Sequence, residues 1–399
     1  MAYPPERINT PISTAELERR WAAVRAAMAD QGIDVLVMQN NNDFMGGNVK
    51  YFTDLPATNG YPVTVIFPSD EPMTWIGQGP FDEVRELPAE GDGLYRGIGK
   101  VMTTPSFVTA GYTLGYDAEL AETALEPYAA RTIGLVGRGQ ISAAFLDHLR
   151  DGRFANTRIV DATELVDRIK VIKSPEELEV IRGTALMQDG CMQAVLDGIR
   201  PGMSDLEITG LAECHGLGNG SEQGWYMGGS GRVGLVTRMA NRHQQNRRID
   251  NGDSFTILIE NSGAGGMYTE IARTVVLGKA SQEMRDEFAF AVEAQKFTVD
   301  MLKPGASCAE IWNRYNDFMV RNGKAPERRL HCHGQGYDMV ERPLVRLDEP
   351  MAIQAGMNIA CHPAYASKTS WNWVCDNFIV GEEGVRGRLH QMPQQIFEL

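Results

Sequence analysis

The stretch Ile259–Thr274, "IENSGAGGMYTEIART", decides how the chain is read. Two apolar runs, "SFTILIE" and "ARTVVLG", flank a glycine-rich turn, the pattern of a β-hairpin. Glu260 and Glu270 stand on either side of that turn, and Arg273 follows. Paired carboxylates on a hairpin suit cation coordination or proton transfer.

The elements around the hairpin are well punctuated. Upstream, "IKSPEELEVIRGTALMQDGCMQAVLDGIRPG" predicts a long amphipathic helix ending near Ile199. Ser174 is its N-cap, Pro175 its first residue, and Glu177 completes a capping box. Ser204 with Glu207 starts another helix, and two more are predicted over Ser281–Leu302 and Ser307–Asn322. Near the N-terminus, "STAELERRWAAVRAAMADQG" is a helix from Ser13 to a stop at Gly32. "DVLVM", "VTVIF", "MTWIG" and "TIGLVG" read as strands. The chain therefore divides into an α/β domain over residues 1–165 and a second domain over 166–399, joined by a short hinge near Arg168–Ser174.

Composition bounds the function. With 399 residues, 43% hydrophobic and 23% charged, the chain is globular. A net charge of -14 repels nucleic acid and anionic membrane and suits a cationic or zwitterionic ligand. No apolar run approaches the roughly 20 residues of a membrane span. "MAYPPERINTPISTAEL" lacks a signal-peptide pattern, so the cytoplasm is expected. Six scattered cysteines without a C-x-x-C pair speak against a zinc ribbon or a disulfide scaffold.

The chemistry concentrates in the second domain. "HCHGQGYDMVERP" sets His331 and His333 beside a Gly-x-Gly bend, and "GMNIACHPAY" sets His362 in an apolar strand. "WNWVCDNFIV" sets Cys375 and Asp376 after Trp371 and Trp373. A lone strand histidine is usually a hydrogen-bonded core residue. Several polar residues on successive strands are better explained as serving one another, because buried polar groups are costly alone.

The order of these motifs resembles the pita-bread family of creatinase, prolidase, aminopeptidase P and methionine aminopeptidase, over most of the chain. The resemblance implies a creatinase-type α/β domain, then a pita-bread domain whose curved antiparallel sheet is covered by helices. The family's metallopeptidases hold two metals with two Asp, one His and two Glu. Here "EIART" puts Glu270 at the second Asp, and Glu260 falls near the first, with the loop one residue short. His333 takes the histidine position, His362 replaces the first Glu, and Cys375-Asp376 stands for the final Glu-Asp. Val340 stands where the family has a further histidine, and creatinase's catalytic histidine position falls on Asn241, two residues from His243. Hard cations prefer oxygen, so this altered set leads to the expectation of a pocket with no metal and no cofactor. One zinc on a His/Cys/Glu set is the alternative.

Within that family, "NVKYFTDLPATNGYP", the glutamate hairpin and "WNWVCDN" resemble the ectoine hydrolases. That likeness implies opening of a cyclic amidine to N-acetyl-diaminobutyrate, with a small zwitterionic substrate and a deacetylase downstream. Glu260, Glu270, His333, His362 and Cys375 are then the catalytic candidates. Trp225, Tyr226, Trp371 and Trp373 are candidates for contact with the cationic ring, and Arg342, His333 or a residue of a neighbouring subunit for its carboxylate. Either a glutamate activates water and a histidine protonates the amine, or Cys375 or a glutamate adds covalently. The family also implies a homodimer in which Tyr51, Phe52 and Thr53 lie near the partner's pocket. The rival readings are a metal-dependent Xaa-Pro dipeptidase or aminopeptidase, a lyase of a sulfonium osmolyte, and a non-catalytic binding protein.

Overall fold

The computed structural model describes residues 12–399 apart from 43, 46, 57–59, 89–90 and 238–246. Asn241 and His243 lie outside the described residues. The chain forms two compact units, Met1–Lys170 and Val171–Leu399. The first unit keeps the whole helix Thr163–Lys170, which the expected boundary at 165 would divide. Among the described residues no helix is long and apolar enough to cross a membrane.

In the first unit the helix Thr14–Gln31 begins where Ser13 Oγ accepts the Glu16 N–H, and it ends at Gly32 with φ 63°. A positive φ costs glycine little, which is why the helix stops there. Seven strands form one mixed sheet, in the order Glu83–Glu86, Ile98–Thr104, Met73–Gln78, Val63–Pro68, Val35–Asn40, Thr132–Val136, Arg158–Asp161. Val35, Val37, Ile66, Ile133 and Phe145 form its core. Tyr51 belongs to this interior. It lies in the helix Asn48–Thr53, is 1% exposed, and carries the Arg20 guanidinium 4.7 Å above its ring. Sequence placed Tyr51 near a partner's pocket; within its own unit the ring is packed inside.

The second unit opens with the helix Pro175–Gly198, and its capping box is reciprocal. Glu177 Oε2 accepts the Ser174 N–H at 2.7 Å, and Ser174 Oγ accepts the Glu177 N–H at 3.1 Å. The antiparallel strands expected from sequence group into two sheets joined by a bridge between Ala272 and Cys375. A four-stranded sheet runs Ile396–Glu398, Tyr268–Val276, Asp253–Ser262, Gly224–Arg232. A five-stranded sheet runs Glu341–Leu344, Cys332–Gly334, Asn358–Cys361, Asp376–Gly381, Gly384–Arg388. A hairpin of Ala364–Ala366 and Trp371–Trp373 completes the set.

Alternation along a strand sends neighbouring residues to opposite faces. Ile257, Ile259, Ile271 and Val275 face the helices, packing on Cys191, Met192, Val195, Ile208 and Ala212. Glu260 and Glu270 therefore occupy the other face. Three N–H groups on the outer edge of the Glu270 strand are taken up by the five-stranded side of the unit. Tyr268 donates to Gly336 O at 2.7 Å, Glu270 to Asn377 Oδ1 at 2.7 Å, and Ala272 to Cys375 O at 3.3 Å. Buried main-chain donors need partners, and these three stitch one sheet to the other.

Candidate active site

Glu260 and Glu270 are paired directly across the hairpin, and Trp225 is paired with Glu260 on the next strand. Opposed residues share a face, so Trp225, Glu260 and Glu270 form a row. The neighbouring row is Met227, Leu258 and Ala272. Trp373 and Cys375 pack on Leu258 and Ala272. The shorter loop does not displace Glu260. Gly265 and Gly266, at φ 95° and 79°, close the turn while keeping the two acids in register.

The five-stranded sheet supplies the histidines. His333 Nδ1 lies 2.9 Å from the Gly334 carbonyl, which can only accept, so Nδ1 carries a proton and Nε2 is the ring nitrogen left to face Glu270. That Nε2 lies 3.6 Å from Glu270 Oε2. The His362 ring meets the His333 ring edge-on, with centroids 5.0 Å apart. Burial pushes the His362 imidazole down to about 4, so it is neutral near pH 7. Ligand atoms of Glu270, His333 and His362 all lie within 4.8 Å of one another, and all three residues are buried.

The two glutamates differ in charge. Burial, then the negative charge of Glu270, holds Glu260 well above the usual carboxylate range. Burial also opposes ionising Glu270, but His362, His333 and the Cys375 thiol outweigh it and lower its pKa. Glu260 thus holds the proton and Glu270 the charge. Glu260 Oε1 also accepts Gln335 Nε2 at 2.9 Å.

Several expected roles need correction. Tyr226 is paired with Ile259 and points to the helix face, where its hydroxyl accepts Asn261 Nδ2 at 2.9 Å. The Arg342 guanidinium is taken by Glu349, with Nε 3.2 Å from Oε1, so it is not the cation reserved for a substrate carboxylate. Cys375 is not the expected thiolate. Burial and then the charge of Glu270 raise its thiol well above the ordinary value, and His362 is neutral beside it. The neutral thiol instead lies beside Glu270 and helps to lower its pKa. His331 is stacked on Tyr315, with ring centroids 3.6 Å apart, and its Nε2 lies 3.2 Å from Thr298 Oγ1.

The structure adds residues that sequence reasoning passed over. Asn377 Nδ2 donates to Gln335 Oε1 at 2.9 Å and to Asn358 Oδ1 at 3.1 Å, forming a buried amide network behind both glutamates. Gln335 was visible inside "HGQG", and Asn377 directly follows Asp376. Arg329 is exposed, and its charge acts on both Glu260 and His362.

The chain was compared with known proteins. The sequence model of metallopeptidase family M24 matches residues 179–387. An uncharacterised peptidase of Bacillus subtilis is 20% identical over 377 residues, covering 94% of this chain and 98% of that protein. A Xaa-Pro dipeptidase of Pyrococcus furiosus is 24% identical over 238 residues, covering 56% of this chain and 64% of that protein. Among solved structures, an X-Pro aminopeptidase from Thermotoga maritima superposes with a TM-score of 0.78 at 16% identity, covering 95% of this chain and 99% of that chain. The fold is of the pita-bread kind expected from sequence.

These findings overturn the expectation of a pocket without a metal. The matched family is one of dinuclear metallopeptidases, and the described residues contain a three-donor cluster. The cluster fits one ion. Donors about 2.0–2.2 Å from a tetrahedral ion stand roughly 3.4 Å apart, close to the His333–Glu270 separation, and two imidazoles with one carboxylate form a known catalytic set. A second ion is poorly served. Its bridging carboxylate position is the Cys375 thiol, and Glu260 is already hydrogen-bonded to Gln335.

Proposed function

The chain belongs to metallopeptidase family M24, a family of hydrolases, and on that footing we propose that it hydrolyses the C–N bond of a small substrate at a single divalent ion held by Glu270, His333 and His362. The observation that carries this reading is the convergence of those three buried donors within 4.8 Å. A dipeptide with a C-terminal proline is the first substrate class, supported by the dipeptidase named among the relatives.

A bound ion supplies Lewis-acid chemistry: it polarises the scissile carbonyl and acidifies water. The remaining work falls to side chains. Glu260, protonated and beside Glu270, hands a proton to the leaving nitrogen as a general acid. Gln335 fixes the Glu260 carboxyl so that the proton lies on the substrate side. The Gly334 carbonyl fixes the His333 tautomer, a supporting contact of the kind that tunes ligand affinity. Trp225, Met227 and Trp373 line the floor and limit water.

A second reading is favoured by one observation. The carboxylate pair lies in a row with Trp225, and Trp373 packs on the adjacent row. A flat cationic ring such as the cyclic amidine of ectoine complements carboxylates beside aromatic faces. The experiment is reconstitution of metal-depleted protein with zinc, manganese or cobalt, followed by product NMR with Xaa-Pro dipeptides and with ectoine. Metal-dependent turnover of dipeptides is expected. Turnover of ectoine alone selects the second reading, and no turnover of either by fully loaded protein rejects both.

A further inference from the structure

A small substrate of this class carries a carboxylate as well as a scissile C–N bond. Two arginines of this unit are already engaged. Arg342 is taken by Glu349, and Arg273 is taken by Asp376 at 2.7 Å and by the carbonyls of Pro393 and Met392 at 2.9 Å. The Trp371–Trp373 strand offers a different chemistry. The indole Nε1 atoms of both tryptophans are shielded from solvent and have no hydrogen-bond partner among the described residues.

Their placement is specific. Two residues apart on one strand, they share a face. Their rings meet edge-on at 6.3 Å, and the Trp373 ring lies 6.5 Å from His362. A buried donor left without a partner is costly. Two on adjacent side chains, beside a candidate metal ligand, mark a place where an acceptor is missing. Neutral donors also suit the electrostatics. They hold an anion without setting a fixed cation beside Glu270, where it would oppose ion binding.

We propose that Trp371 and Trp373 form an anion subsite, in which two indole N–H groups hold the substrate's carboxylate. The identity of that carboxylate rests on the hydrolase reading above; the subsite itself does not. The substrate then has a fixed polarity, with its anionic end at the tryptophan hairpin and its other end toward Trp225.

Zinc-loaded protein with 15N-labelled indoles is titrated with L-proline, L-prolinamide and acetate. Two indole resonances, assigned by their loss in Trp371→Phe and Trp373→Phe, are expected to move with proline and acetate but not with prolinamide. Each phenylalanine variant keeps an aromatic ring but loses the donor, and is expected to weaken proline binding about 10-fold or more, as a hydrogen bond to a charged group is worth. Shifts with acetate but not proline keep the subsite and reject the proline dipeptide as substrate. Shifts with neither overturn the subsite. So does equal weakening of proline and prolinamide, or a loss of proline affinity that follows Arg329→Gln rather than the tryptophan variants.

Discussion

The side chain of Asn377 accepts the main-chain N–H of Glu270 at 2.7 Å while donating its own amide to Gln335 at 2.9 Å. Gln335 in turn donates to Glu260 at 2.9 Å. One amide pair therefore positions both glutamates, although they lie on different strands. Asn377→Leu is expected to lower turnover or metal affinity about 10- to 100-fold, the usual loss when a ligand's supporting contact is removed. Steady-state kinetics and metal titration check this, with circular dichroism as the control for folding. Wild-type values in a folded variant would refute the role.

The donor set predicts ion stoichiometry. Mass spectrometric metal analysis of dialysed protein is expected to give one ion per chain. Glu270→Gln and His362→Ala are each expected to lower this below half occupancy at limiting metal, and a chelator should abolish turnover until metal is restored. Two tightly held ions per chain would reject the single-ion site.

Cys375 is buried and neutral, and its thiol helps to lower the Glu270 pKa. A serine hydroxyl keeps a neutral donor at that place. Cys375→Ser is therefore expected to keep turnover within about tenfold, as befits a hydrogen-bond donor rather than a nucleophile. Loss of all activity, with metal content unchanged, would restore covalent catalysis.

Lys173 and Glu341 form an ion pair at 2.7 Å with both side chains 2% exposed. Removing one partner leaves the other charge buried, so Lys173→Met is expected to destabilise the chain by about 3–5 kcal/mol. Denaturant unfolding measures it. A change within error would mean that the remaining glutamate is accommodated as the neutral acid.

Asp117 gives a pH dependence to the first unit. Burial raises its carboxyl to about 6, against the ordinary 3.8, and one of its oxygens has no hydrogen-bond partner among the described residues. The folded state then binds the proton more tightly than the unfolded state. Its contribution is fully present below about pH 4 and is lost as pH rises through about 6, a change of roughly 2–3 kcal/mol. Asp117→Asn cannot ionise. Its stability relative to wild type is expected to improve between pH 4 and pH 7, measured by unfolding at each pH. A constant difference across that range would show that Asp117 does not titrate there.

Much of the architecture was legible because its elements carry their own end signals. Ser174 and Glu177 set the start of the long helix, and Ser204 with Glu207 set the next, as observed. The hairpin of Glu260 and Glu270 was legible from two apolar runs around a glycine-rich turn. The strand Gly224–Arg232 was not, because "GWYMGGSGR" lacks the β-branched content that marks a strand. Its glycines answer to packing: a Cβ on Gly228 would lie 2.2 Å from the Phe255 ring. Gln335 and Asn377 were overlooked for a different reason. Amides that act by holding other side chains have no periodic or spacing signature, and their role emerges only when two sheets are brought together. The metal was misjudged because the replaced ligands were counted as losses, whereas two imidazoles and one acid form a site of their own.

Gly336 ties these facts to the history open to the protein. A Cβ there would lie 2.4 Å from Lys173 Nζ and 2.6 Å from the Glu341 carboxylate. Any side chain at that bend meets a buried ion pair whose lysine comes from a distant part of the sequence. The His333 bend is thus frozen against stepwise mutation, since improving it requires three positions to change together. New substrates are reached more readily by altering Trp225 or the tryptophan hairpin, which can vary one residue at a time while the metal ligands stay where they are.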